Sequence, residues 1–170
     1  MVTPHTRVLI LGSLPGEASL AAGRYYAHPQ NQFWRLTGAA IGRDNLAALD
    51  YDDRLAALRG AGIGLWDTVA SACRAGSLDA AIREVEAAPL AALVLTLPEL
   101  RCIAFNGAKS SVLGRRALRD SALTLIDLPS SSPAHAAMHY AEKQRRWLAL
   151  RGFLAPQGLP SPPPPDIEPA

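Results

Sequence analysis

Four short segments hold the residues with chemical potential. The first runs from Gly12 to Trp34, GSLPGEASLAAGRYYAHPQNQFW, and gathers glycines, two adjacent tyrosines, His28 and Asn31 into one polar and aromatic loop. The second is Leu65-Trp66-Asp67 and the third Phe105-Asn106-Gly107; the fourth is Leu128-Pro129-Ser130-Ser131-Ser132-Pro133-Ala134-His135. Asn31 carries a neutral amide. It can orient a water or hydrogen-bond a ligand, but it cannot act as a strong base. It is equally suited to cap a helix. Asp67 offers a carboxylate acceptor that can serve a ligand or pair with Arg74. Asn106 can hold a ligand or shape its Asn-Gly turn. Ser130, Ser131 and Ser132, stiffened by a proline on each side, present hydroxyls and backbone N–H groups that suit phosphate oxygens. Lys109, beside the third segment, is the cation best placed to join them. Arg115, Arg116, Lys143, Arg145 and Arg146 read as solvated helix faces.

Several chemistries are excluded by what these segments lack. Gly-Ser-Leu-Pro-Gly is neither the GxGxxG turn of a dinucleotide site nor the GxSxG elbow of a serine hydrolase, and no P-loop is present. The chain has two cysteines, Cys73 and Cys102, and four histidines. No CxxC pair occurs, an iron–sulfur cluster held by four cysteines is excluded by count, and a zinc site is not expected. No cofactor or metal is therefore expected, and the cysteines should be reduced in a cytoplasmic protein.

The elements that must position these residues follow from the apolar pattern. Arg7 to Leu14 reads as a strand apolar enough to be buried on both faces, Gly62 to Val69 as a second buried strand, and Arg101 to Phe105 and Leu123 to Leu128 as the third and fourth strands. Helices are expected over Gln30 to Ile41, Asp50 to Arg59, Leu78 to Val85, Pro89 to Leu97, Ala108 to Leu118 and His139 to Arg151. Phe33 and Trp34 sit at helical spacing with Thr37 and Ile41, so they belong to the core. Alternating strands and helices predict an α/β fold, a three-layer α/β/α sandwich around a central four-stranded parallel sheet. Function then belongs to the loops at the carboxyl ends of the strands: Ser13 to Pro29, Asp67 to Ser77, Asn106 to Lys109 and Pro129 to His135.

At 170 residues and 49% hydrophobic composition, the chain supports one compact domain, here residues 1–155. The remainder, 156–170, is too rich in proline to join a core and should be disordered or polyproline. The formal charge of +2 permits a nucleic-acid partner without pointing to one. No apolar stretch approaches a membrane span and no leader is visible, so neither membrane nor secretion is expected.

Taken in order, the four segments resemble the uracil-DNA glycosylase superfamily, in its mismatch-specific and deoxyinosine branches. The first motif matches as a strand, Gly-x-x-Pro-Gly, a spacer, an aromatic, then Ala-His-Pro-x-Asn-x-Phe-Trp. The fourth segment is close to the Leu-Pro-Ser-Thr-Ser-Pro-Ala form of the deoxyinosine branch. The resemblance covers nearly all of residues 7–153. It implies the α/β/α fold, no cofactor, and removal of a deaminated base from DNA by hydrolysis of its glycosidic bond. It also implies a partner, DNA bearing such a base; a monomer is expected.

One position separates the branches. The mismatch-specific enzymes carry a water-positioning asparagine just before the proline of Gly-x-x-Pro-Gly, where this chain has Leu14. In the deoxyinosine branch that position is apolar and the asparagine of His-Pro-x-Asn carries catalysis, which maps onto Asn31. The resemblance thus favours hypoxanthine and gives Asn31 the catalytic role. It assigns Gly12, Ser13, Tyr26, Asp67 and Asn106 to base binding, with Tyr26 stacking on the extruded base. Asp67 can accept the N1–H of hypoxanthine, a donor that adenine lacks. His28, Lys109, Ser130, Ser131, Ser132 and His135 are assigned to DNA contact. Two alternatives keep the fold: uracil as substrate, or a catalytically weak lesion-binding module, since Leu14 removes one amide. A small-molecule hydrolase is disfavoured by the motifs that are missing.

Overall fold

The computed structural model describes residues 1–74, 82–87 and 89–154. Four parallel strands form its centre, β1 (Val8–Gly12), β2 (Ile63–Asp67), β5 (Cys102–Asn106) and β6 (Thr124–Leu128), in the order β2-β1-β5-β6. Burial explains why β1, β2 and β5 read as apolar runs, whereas β6, at the edge of the sheet, buries only Leu128. Along β1, Val8 and Ile10 pack with Phe33, Leu36, Leu58 and Trp147 on one face, whereas Leu9 and Leu11 pack with Leu90, Leu97 and Leu118 on the other. β5 repeats the alternation, with Cys102 and Ala104 on the first face and Ile103 and Phe105 on the second. Both faces are covered, so the layers are helix, sheet, helix, as the alternating pattern predicts.

The first helical layer contains α2 (Phe33–Ala40), α3 (Tyr51–Gly60) and α6 (Tyr140–Trp147); α4 (Leu90–Leu95) and α5 (Ala108–Ala117) lie on the other face. A 3-10 turn, Leu148–Leu150, and α7 (Arg151–Leu154) continue the last helix. Among the described residues no helix is long and apolar enough to cross a membrane.

Two expectations are corrected. Ile82–Ala87 is a strand, β4, paired antiparallel with β3 (Val69–Arg74), so the helix expected over Leu78 to Val85 does not form across 82–85. Helix propensities favour Arg, Glu and Ala there by only about 0.5 kcal/mol per residue, which a neighbouring unpaired strand overrides. The remainder of that helix, 78–81, lies outside the described residues, as does the proline-rich tail. The second correction concerns the loop from Ser13 to Pro29. It contains a short helix, α1 (Glu17–Ala22), closed by Gly23 at φ 59°. A left-handed glycine of this kind ends many helices.

The order β2-β1-β5-β6 places a crossover at β1, because the chain leaves β1 toward β2 on one side and returns as β5 on the other. In open α/β sheets such a switch opens a crevice beyond the carboxyl ends of the diverging strands. Gly12 and Asn106 end those two strands.

Candidate active site

A cleft of about 1020 Å³ occupies that crevice. Gly12 and Ser13 from the end of β1, Asp67 from the end of β2, and Asn106 from the end of β5 line it. Tyr26, His28 and Asn31 line it from the segment between α1 and α2, Lys109 from the first turn of α5, and Ser130, Ser131, Ser132 and His135 from the loop after β6. Every site residue expected from the sequence therefore faces one cavity.

The aromatic segment is held at several points. The Tyr25 N–H donates to the Tyr51 hydroxyl at 2.9 Å, the Ala27 N–H to Ser19 Oγ at 3.1 Å, and Trp34 Nε1 to the Tyr26 carbonyl at 3.2 Å. Tyr26 sits at φ 51°, unusual for a residue with a Cβ, and its ring stacks on Phe33 with centroids 3.7 Å apart and planes inclined by 11°. Such backbone strain persists only where its surroundings hold it and clusters at functional sites. Phe33 and Trp34 are buried, as their helical spacing implies.

Asn31 caps the start of α2 from one residue before the N-cap position, Gln32, in the role its type suggests. Its Oδ1 accepts the Phe33 N–H at 3.0 Å, and its own N–H donates to the His28 carbonyl at 2.9 Å. A carbonyl oxygen has two lone pairs and the amide has two further N–H donors, so the cap fixes the side chain without exhausting it. Asn31 is only half-buried and lines the cleft.

Asp67 is the electrostatic centre. Burial pushes its carboxyl up to about 6, partly offset by the N-terminal ammonium. That ammonium donates to the Leu65 carbonyl at 2.9 Å. Burial, reinforced by the Asp67 charge and by Tyr51, holds the Tyr25 hydroxyl up at about 12. The side chain of Arg74, the alternative partner of Asp67, lies outside those described. Gly12 leaves the room that brings these groups together. A Cβ built there would stand 2.9 Å from Asp67 Oδ1 and 3.3 Å from the Tyr26 hydroxyl.

Asn106 acts as a clamp. Its Nδ2 donates to Ser131 Oγ at 2.9 Å, and its Oδ1 accepts the Ser131 N–H at 2.9 Å. Ser131 is buried as a result, whereas Ser130 and Ser132 remain half-exposed. The Ser131 carbonyl accepts the Gln32 N–H at 3.0 Å, which ties this loop to the first motif beside Asn31. Lys109 lies in the first turn of α5, whose N-terminus supplies a partial positive charge on the same rim.

The sequence reading misses one residue. Lys143, expected on a solvated helix face, is 2% exposed and donates from Nζ to the His135 carbonyl at 2.9 Å. Its neighbours Arg145 and Arg146 do face solvent, both paired with Glu142. The signal was available in principle. Lys143 precedes the buried Trp147 by four residues and so shares its face of α6.

The model of the uracil DNA glycosylase superfamily matches residues 1–151. The chain belongs to that superfamily. Two proteins named hypoxanthine DNA glycosylase are similar to this superfamily member. The one from Methanosarcina acetivorans is 41% identical over 146 residues, 86% of this chain and 90% of its own. The one from Methanosarcina barkeri is 43% identical over 110 residues, 65% of this chain and 69% of its own. The solution NMR structure of a Methanosarcina acetivorans protein described as a candidate uracil DNA glycosylase superposes with a TM-score of 0.79 at 37% identity, covering 89% of this chain and 93% of that one. Superfamily membership accords with the resemblance read from the motifs, and the fold agrees with it.

Proposed function

We propose that the protein is a monofunctional DNA glycosylase that removes hypoxanthine from DNA and so begins base excision repair. The observation that carries this reading is the meeting of Asn31, Asp67 and Tyr26 in one cleft at the switch point of the sheet. The names of its relatives from the two Methanosarcina species support the choice of base.

Breaking the glycosidic bond leaves positive charge on the sugar and negative charge on the departing base. Hypoxanthine spreads that charge onto its oxo oxygen, which adenine cannot do. An enzyme can then work by extruding the base, fixing it and placing a water. Tyr26, backed by Phe33, offers a rigid stacking surface. Asp67, when ionised, accepts the N1–H that distinguishes hypoxanthine from adenine. Asn31, locked by its cap, orients the attacking water, an effect worth about 10²–10³ in rate. Asn106 keeps the serine loop in place, and Ser130, Ser132, His28, His135 and Lys109 contact the backbone around the lesion. The protein works as a monomer in this scheme and needs no metal.

Uracil also presents an N–H between two oxo groups, so the test compares bases directly. Otherwise identical oligonucleotides carrying hypoxanthine, uracil, xanthine or a thymine mispair are incubated with the protein and assayed for alkali-labile abasic sites. Fastest cleavage of the hypoxanthine strand is expected. Faster cleavage at uracil would transfer the reading to that base, and retention of lesion DNA without any abasic product would replace it with a binding module.

A further inference from the structure

We propose that Arg24 is a positioning residue for DNA: its guanidinium, stacked on Tyr51 at the mouth of the cleft, holds a phosphate beside the extruded nucleotide, on the side opposite Lys109. The inference rests on the reading of this cleft as a DNA site. The backbone of Arg24 is fixed by the turn that ends α1. There the Gly23 N–H donates to the Leu20 carbonyl at 3.2 Å and the Arg24 N–H to the Ser19 carbonyl at 3.0 Å, a pair of bonds that closes a helix on a left-handed glycine. The side chain is placed as well. Its Cζ lies 5.2 Å from the centroid of the Tyr51 ring. Tyr51 is itself held, because its hydroxyl accepts the Tyr25 N–H at 2.9 Å and its ring meets that of Trp34 edge-on at 6.0 Å. Arg24 and Tyr51 both line the cleft, and Arg24 is exposed there. Among the described residues no carboxylate pairs with its guanidinium. Stacking uses the face of a guanidinium and leaves its N–H edge to donate. A group organised in this way loses little freedom when an anion arrives. Its place in the fold identifies the anion. Tyr51 opens α3 on one face of the sheet, beside the carboxyl end of β2, whereas Lys109 lies in the first turn of α5 on the other face, after β5. β1 runs between β2 and β5, so the two cations flank the switch point where the cleft opens. A strand that delivers a base into the cleft passes between them, and the phosphates on its two sides meet one cation each.

The test uses the full chain with Arg24→Met, read by fluorescence anisotropy on a hypoxanthine duplex and on the same duplex undamaged. Binding is followed across salt from about 50 to 200 mM. Loss of one phosphate contact should weaken binding of the hypoxanthine duplex about five- to tenfold and reduce the salt slope by about 0.9. Excision at subsaturating protein should fall by the same factor as lesion binding. Arg24→Lys keeps the charge without the flat face, so it should restore the slope and bring affinity back to within about threefold of the wild type. Arg43, exposed beyond the end of α2 remote from Gln32, provides the control. Arg43→Met removes the same charge away from the cleft and should leave affinity within about twofold. Unchanged affinity and slope in Arg24→Met would overturn the proposal. Equal losses in Arg24→Met and Arg43→Met would do so too, since the charge would then act only through the net field. An Arg24→Met protein that fails to fold would make the stack structural and overturn it as well. The undamaged duplex reports phosphate contacts whether or not a base is excised. A protein that binds duplex with the expected loss in Arg24→Met but excises nothing would therefore refute the glycosylase reading and leave this one standing.

Discussion

Replacing Asp67 with asparagine should make the protein more stable and less active at neutral pH. The carboxyl titrates at about 6 in the fold against an ordinary value of 3.8, because burial disfavours its charge. The sign follows from proton counting. Between those two values the folded state holds the proton that the unfolded state has released, so stability falls as pH rises through this window. Two pH units correspond to about 3 kcal/mol at most, and residual water in the open cleft reduces this to about 1–2 kcal/mol. At pH 7.5, Asp67→Asn should raise the melting temperature by about 3–6 °C, with little change at pH 4. Excision runs the other way. Only ionised Asp67 accepts the N1–H of hypoxanthine, so the subsaturating single-turnover rate should climb about tenfold per unit below pH 6 and level off above it. Asp67→Asn should lose about 10- to 100-fold at pH 7.5, the worth of a hydrogen bond to a charged group, and should lose the acid limb. Calorimetry and quenched-flow assays on the same two proteins provide both readings. An acid limb that survives in Asp67→Asn, or a wild-type rate that falls as pH rises through 6, would refute the reasoning.

Gly12→Ala should be folded but slow, because a methyl group 2.9 Å from Asp67 Oδ1 and 3.3 Å from the Tyr26 hydroxyl displaces both; a normal excision rate would show that neither is needed in place. No lysine lies in the first or the serine-loop motif, so borohydride should trap no covalent complex with DNA during turnover, and an adduct would contradict the monofunctional reading. Hydrolysis built on an amide and a carboxylate should continue in excess EDTA; loss of activity restored by a divalent ion would require a metal step.

The sheet and the site were legible for different reasons. β1 and β5 announce themselves because both their faces are buried, so Val8 to Leu11 and Cys102 to Phe105 have no polar side. The site segments are legible because chain order and strand ends deliver them to one crevice, and their residue types limit what they can do. The hairpin of β3 and β4 was hidden because its stability comes from pairing between segments rather than from local pattern. Helix α1, Glu17–Ala22, is too short to show a helical period inside its loop, although Glu17 and Gly23 mark its two ends. Lys143 illustrates the limit. Its burial depends on a loop folding over α6, and a basic residue next to Arg145 and Arg146 gives no local sign of that. Asn31 shows the converse, since the cap and the proposed catalytic amide are one group and residue type alone cannot choose between them.

Asn31→Ala therefore tests the account most directly, through the single-turnover excision rate on hypoxanthine DNA measured well below the variant's melting temperature. Losing the bond to the Phe33 N–H costs about 1 kcal/mol of stability under either role, so the rate decides. The account expects excision at least about 10²-fold slower, with lesion binding within about tenfold of the wild type. A near-normal rate in the folded variant would leave Asn31 a cap alone and contradict the central claim.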